Sequence, residues 1–498
     1  CAPCSTVCTR DVRLCLPGTV PSKSEIRTVK RNIIYAFAAQ GISLLLSILT
    51  SLILPKFFDK ANYGYWSLFL FYTGYTGFFH FGLNDGVYLK IGGTEYEDMD
   101  KKLLGGQFWF GALFQSVIAI GIVLWAVLSG NGVDTEFVFI MTAVYMLLYN
   151  LTLYLGCVFQ AANETRLYSL SVMIDKIVFM VSILALFIVK SSDYKTYVWL
   201  YMSAKLCAML YCVYKGREIV FAGRMAFGTV AREALDSIRI GINLTIANIA
   251  GNLILGGGRF IIDRYWGIED FGEVSFSLTL TNFFLLFVSQ ISMVLFPALR
   301  QIDEKRQKSL FEMSKHVLNV MLPIVFLVYI PAKEILKLWL PQYEVSLAYM
   351  AILLPMCIFD GKMNLVCATY FKVLRKERFL LYVNIFSMAL SVVLSIVGAY
   401  GLHSIDSIIL FMVCSIGVRY FISQLYLERL LGKASGQAGA RVGMAEELVL
   451  VTICAYACWK LHSGSAFVIT AIAYLIYLVL NRRSVGYLWG MVKAKITK

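Results

Sequence analysis

The chain has 498 residues, 59% of them hydrophobic and 15% charged, with a mean hydropathy of +0.71 and a formal net charge of +14. A soluble domain carries roughly 25% charged residues. Here the apolar excess comes in runs of about 20 residues, each long enough to cross a ~30 Å hydrocarbon layer. That excludes a soluble protein with one large core. The Lys and Arg sit in short loops between apolar runs, which argues against nucleic acid as a partner.

The first 31 residues read as a cytosolic extension. Four of the twelve cysteines, Cys1, Cys4, Cys8 and Cys15, crowd it. Their spacing resembles half a metal site, but no further His or Cys cluster completes it. The other eight are scattered through apolar runs and read as small buried hydrophobes. Fourteen spans follow, near 32–54, 63–90, 103–129, 136–161, 166–189, 194–214, 239–262, 271–298, 312–331, 344–371, 378–400, 405–430, 446–462 and 465–481. The backbone must satisfy its own hydrogen bonds in lipid, so the spans are helices and the fold is all-α.

With the N-terminus inside, 32 Lys and Arg fall in cytosolic loops and 8 in outer loops. The positive-inside rule then places both termini in the cytosol of the cell membrane. Residues 215–238 form the longest internal connection, also cytosolic. Its end, Thr229–Arg239, is amphipathic and is expected to lie along the membrane surface. The connection separates an N-lobe (32–214) from a C-lobe (239–430), with two extra helices and a cytosolic tail in 431–498. The lobes echo each other: "FFDKANYGYWSLFLFYTG" starts at Phe57 and "YWGIEDFGEVSFSLTLTN" at Tyr265. Tyr63-Gly64 falls on Phe271-Gly272, an offset of 208. A parallel repeat of six-helix units suggests a transporter.

No P-loop G-x4-G-K-[ST] occurs, so Gly256-Gly257-Gly258 is not a nucleotide loop. Asp98-Met99-Asp100 resembles an acidic metal–sugar motif but reads as a solvated loop. The outer loops are too short to carry a polymerase's catalytic residues. No catalytic residue, metal or cofactor is expected.

The informative groups are ionisable residues inside spans, which are functional candidates by default. The basic ones are Lys176, Lys205, Arg259, Lys362 and Arg419; the acidic ones are Asp85, Asp175, Asp263 and Asp360. At ~100° per residue, Thr245, Asn248, Asn252, Gly256, Arg259 and Asp263 share one stripe of span seven. Such a stripe suits a wet cavity. The competing reading of Arg259 is a snorkelling side chain paired with Asp263 one turn on. Lys205 aligns with Tyr201 on span six. Asp175 and Lys176 point ~100° apart on span five and need not pair. Asp360 and Lys362 point nearly opposite ways, so at least one must reach a neighbouring helix.

The first lobe resembles the polysaccharide flippase branch of the multidrug/oligosaccharidyl-lipid/polysaccharide exporter superfamily. The matching elements are Asn32, Pro55, Tyr63-Gly64, Gly82-Leu83 and Gly86, with Phe271-Gly272 in the second lobe. The resemblance implies two six-helix lobes, here with two C-terminal helices, working by alternating access around a cationic cavity. It implies an anionic substrate, a polyprenyl-pyrophosphate-linked oligosaccharide, and membrane lipids and other polysaccharide-assembly proteins as partners. On that reading Lys176, Lys205, Arg259, Arg419, Asn248 and Asn252 bind substrate. Asp85, Asp175 and Asp360 are the candidates for ion coupling. A multidrug antiporter on the same fold, and a membrane polymerase or glycosyltransferase, are the alternatives. An apparent excess of one cation inside the spans weighs against the antiporter.

Overall fold

A computed structural model describes residues 41–189, 192–223, 225–300, 304–374, 376–431, 437–482 and 484–486. The cysteine cluster, Asn32 and the start of the first span lie outside them. Every one of the fourteen expected spans has a helical counterpart among the described residues. In chain order these are α1 (Gly41–Phe57), α2 (Lys60–Thr76), α3 (Leu83–Ile91), α4 (Lys101–Leu128), α5 (Val133–Ala161), α6 (Thr165–Val189), α7 (Tyr194–Lys215) and α8 (Phe227–Tyr265). There follow α9 (Ile268–Arg300), α10 (Glu304–Met321), α11 (Ile324–Trp339), α12 (Glu344–Lys362), α13 (Glu377–Ile396), α14 (Ile405–Leu430), α15 (Gln437–Lys460) and α16 (Ser463–Leu480). Ten helices among the described residues are long and apolar enough to cross a membrane. This is a polytopic all-α membrane protein.

The chain divides into two units, residues 1–249 and 250–498, with the division inside α8. In the first unit α5 is the central helix and packs against α2, α4, α6 and α7. In the second, α12 is central and packs against α9, α11 and α14. The pair α6–α7 of the first unit is matched by α13–α14 of the second. Shifted by 208 residues, Lys60 at the start of α2 becomes Ile268, where α9 starts. Val133 at the start of α5 becomes Pro341, where the α12 span starts. The short echo in sequence therefore coincides with matched helix starts and a matched central helix in the two units. The extra helices pack on the second unit, α15 against α12 and α16 against α11.

Three expectations need correction. Span two, expected to be continuous, is broken. After Thr76 the chain makes a single 3-10 turn, Gly77–His80, then passes through Phe81 and Gly82 with φ of 50° and 94°. A break frees carbonyls that lipid cannot satisfy. Side chains from other helices take them up: Asn150 Nδ2 donates to the Thr76 carbonyl (2.9 Å) and Gln115 Nε2 to that of Phe79 (3.0 Å). The Gly82 N–H donates to His80 Nδ1 at 2.9 Å.

The segment Thr229–Arg239 is helical, but it is the first third of α8, continuous with span seven, and does not form a separate surface helix. Ala234 and Ser237 are fully buried. Gly82-x3-Gly86 on α3 crosses Ser237-x3-Gly241 on α8, so two pairs of small residues let the backbones meet. A Cβ on Gly86 would overlap the Ser237 carbonyl, and one on Gly241 the Gly82 carbonyl. The Gly82 and Gly86 of the family resemblance thus have a physical reason.

Span nine reaches further than expected, as α10 and α11 joined at Leu322-Pro323 and running to Trp339. In the second unit Gly257 and Gly258 of "LGGGRF" serve close packing. Gly257 lies against Val392, and Gly258 against Met412 and Ser395. Ser391 Oγ donates to the Ile254 carbonyl at 2.5 Å.

Candidate functional site

In the first unit α6 and α7 bring Asp175, Lys176 and Lys205 together. Lys205 Nζ lies 2.8 Å from Asp175 Oδ2, and Lys176 Nζ lies 3.7 Å from the same oxygen. Adjacent residues 175 and 176 do pair, and Asp175 is the partner that Lys176 and Lys205 share. Asp175 and Lys205 are buried, whereas the Lys176 side chain keeps 25% of its exposure. One carboxylate therefore serves two ammonium groups.

Aromatic rings surround this cluster. Lys205 Nζ is 5.7 Å and 5.5 Å from the ring centres of Tyr145 and Tyr149, and Lys176 Nζ is 6.0 Å from that of Tyr201. Tyr201 sits at the hub, against Phe179 (4.9 Å), Tyr145 (5.6 Å), Phe69 (5.8 Å) and Trp66 (6.0 Å). Ring faces stabilise a nearby cation, more so when it is desolvated. Sequence reasoning found Tyr201 but missed Tyr145, Tyr149 and Trp66. The usable signal was Tyr145 and Tyr149 one helical turn apart on span four.

Asp85 is buried in the first turn of α3, where the helix dipole favours a carboxylate. Thr245 Oγ1 donates to its Oδ2 at 2.9 Å. Thr245 therefore leaves the wet stripe expected of span seven. Asn248 and Asn252 remain on it as exposed residues, and Arg259 is half-buried.

In the second unit Arg419 forms an ion pair with Asp360, which also accepts from Asn364 Nδ2 at 3.0 Å. Arg419 is buried, and its Nε has no hydrogen-bond partner among the described residues. Gly251 faces Asn384 and Arg419; a Cβ there would lie 3.4 Å and 3.8 Å from their side chains. Arg259 reaches across to α9, where Nη2 donates to Ser275 Oγ at 2.8 Å and the guanidinium lies 5.1 Å from the Phe271 ring centre. This contact differs from the one-turn pairing with Asp263.

Both Asp360 and Lys362 reach neighbouring helices. Lys362 Nζ lies 2.5 Å from Glu447 Oε1 on α15 and 2.6 Å from Asn319 Oδ1 on α10. Lys315 pairs with Glu428, to which Gln424 Nε2 also donates at 3.0 Å. Glu447, Glu428 and Glu273 are buried acids inside spans that the sequence count left out. The supposed excess of one cation across all spans is therefore withdrawn. What survives is local: the imbalance of the Asp175 cluster.

This architecture defines a class, a polytopic all-α membrane protein whose chain divides into two helical units. The profile of the polysaccharide biosynthesis protein family matches residues 29–303, more than half of the chain, and the chain belongs to that family. No curated protein sequence matches it. Its fold is similar to that of the lipid II flippase MurJ in an inward closed conformation, with a TM-score of 0.65 at 9% identity, covering 91% of this chain and 99% of that one. An inward-facing multidrug resistance transporter of the MATE family, in the MOP superfamily, gives a TM-score of 0.59 at 10% identity, covering 81% and 99%. A MATE transporter in a bent conformation gives 0.53 at 10% identity, covering 81% and 95%. At these identities the likeness is one of fold.

Proposed function

We propose that this membrane transporter flips a polyprenyl-pyrophosphate-linked oligosaccharide from the cytosolic to the outer face of the cell membrane by alternating access, with both termini in the cytosol. The observation that carries this reading is the Asp175–Lys176–Lys205 cluster, with its two ammonium groups, one carboxylate and ring of tyrosines. An isolated cation in a span is costly and is kept for a purpose. Here the spare positive charge suits an anionic phosphate, and the rings suit sugar faces. A cationic drug would meet the wrong charge at this place, which favours the flippase over the multidrug exporter.

Lys176 is the first contact for the pyrophosphate, because it is the more exposed of the two and the more loosely held. Lys205 holds Asp175 and completes the field. Arg419, with its free Nε, and Arg259, Asn248 and Asn252 along α8 contribute further substrate contacts. Asp85, buried at the helix break and bonded by the Thr245 hydroxyl, is with Asp175 and Asp360 a candidate for ion coupling. No ATP is needed. Two negative charges moving outward through an inside-negative potential gain about 4.6 kcal/mol per 100 mV.

Depletion of the protein followed by lipid extraction tests the reading. Accumulation of a polyprenyl-pyrophosphate-linked oligosaccharide is the expected result. Unchanged lipid pools with altered dye efflux would favour the multidrug exporter instead.

A further inference from the structure

The Asp175 carboxylate has two oxygens in unlike situations. Oδ2 accepts from Lys205 at 2.8 Å and has Lys176 at 3.7 Å. Oδ1 is buried and has no hydrogen-bond partner among the described residues. A buried charged acceptor left without a donor is expensive, and native structures keep few of them. Lys205 is committed to Oδ2, from which Lys176 lies 3.7 Å away. The flanking Tyr145 and Tyr201 present ring faces to the two ammonium groups.

We infer that Asp175 Oδ1 accepts a hydrogen bond from the sugar bonded directly to the phosphate, so that the site reads the first sugar of the substrate. This rests on the proposal that the cluster holds the pyrophosphate. A carboxylate oxygen repels a phosphate oxygen, so the partner of Oδ1 must be a donor. Sugars supply hydroxyl groups and, when N-acetylated, an amide N–H. The donor must come within one residue length of the anion that Lys176 holds. The ring attached to the phosphate meets that requirement, and a ring one glycosidic link further out does not. Lys176 is the movable element: leaving Asp175 for the phosphate uncovers the carboxylate at the moment the sugar arrives. Tyr201, half-buried and wedged by Trp66, Phe69 and Phe179, gives that ring a rigid face to stack on.

The test is binding by the full chain in lipid nanodiscs, with two probes, undecaprenyl pyrophosphate and undecaprenyl pyrophosphoryl-N-acetylglucosamine. The wild type should prefer the sugar-bearing probe by about tenfold, the worth of one charge-assisted hydrogen bond. Asp175→Asn turns its amide oxygen to Lys205 and presents an NH2 where Oδ1 was. It should lose the preference while binding the sugarless probe as tightly or more tightly, since the lysines no longer share a negative charge. Lys176→Gln should weaken both probes alike. Equal wild-type affinity for the two probes, or a preference that survives Asp175→Asn, overturns the inference. If Lys176→Gln and Lys205→Gln both leave the sugarless probe unaffected, it is the phosphate site that fails. Should Asp175→Asn not fold, the wild type alone decides: equal affinity for the two probes overturns the inference.

Discussion

The two units repeat one packing scheme at an offset of 208 residues, yet they spend their buried charges differently. In the second, Lys362, Lys315 and Arg419 each have a carboxylate of their own, from Glu447, Glu428 and Asp360. Two of those acids, Asp360 and Glu428, lie on the repeat's own helices, whereas Glu447 comes from α15, so one buried pair fastens the added helices to α12. In the first unit a single carboxylate is shared by Lys176 and Lys205 among tyrosines. Duplicated folds need the same contacts to stay folded. What they need not share is the balance of charge, and that is where a binding role can be separated from a structural one.

The contrast can be broken first at Lys362. Lys362→Gln strands the buried Glu447 carboxylate, and loss of one partner of a buried pair costs about 3–5 kcal/mol. Thermal unfolding in detergent should show a large loss of stability, with transport per folded molecule retained. A stability equal to the wild type would mean that the pair does not fasten α15. Next comes the crossing of α3 and α8. Gly86→Ala puts a methyl group on the Ser237 carbonyl, and overpacking of this kind costs about 1–3 kcal/mol. Since that crossing joins the broken span two to α8, the same assay on this variant measures how far the break depends on it.

The smallest effect is at the surface. Glu218 pairs with Lys101 at 2.6 Å outside the spans, and that hydrogen bond holds its carboxyl below the ordinary glutamate range. A lowered acid contributes stability above its unfolded pKa and loses it as pH falls through the folded value. Glu218→Gln should therefore leave stability unchanged within error at neutral pH, and differ from the wild type only by a slightly flatter acid limb. A marked loss at neutral pH would show that exposed pairs matter here as much as buried ones.

Much of the fold was legible because lipid allows few solutions. Each of the fourteen apolar runs has a helical counterpart among the described residues, although spans two and nine are each two helices, and Tyr63-Gly64 with Phe271-Gly272 marked the matched starts of α2 and α9. The break at Phe81-Gly82 was missed although His80, Asn84 and Asp85 flank it, because the apolar residues around them keep the run at span length. The donors that make the break tolerable, Asn150 and Gln115, lie on other spans, and only a structure connects them to the freed carbonyls. The candidate site was half legible. Lys176, Lys205 and Asp175 stand out as charges in apolar runs, but a helical wheel cannot show that Asp175 and Lys205 meet across two helices. Glu447 was overlooked because it lies at the very start of a short span, where an acid looks like a loop residue.

The central claim is that the spare cation of the first unit works on substrate and does not hold the fold together. When Lys176 is replaced Asp175 keeps Lys205 at 2.8 Å, so no buried carboxylate is stranded and the fold should hold. The direct measurement is translocation of a polyprenyl-pyrophosphate-linked oligosaccharide in proteoliposomes carrying equal amounts of wild type or Lys176→Gln. The account predicts at least a tenfold loss of rate with an unchanged unfolding temperature; a wild-type rate would contradict it.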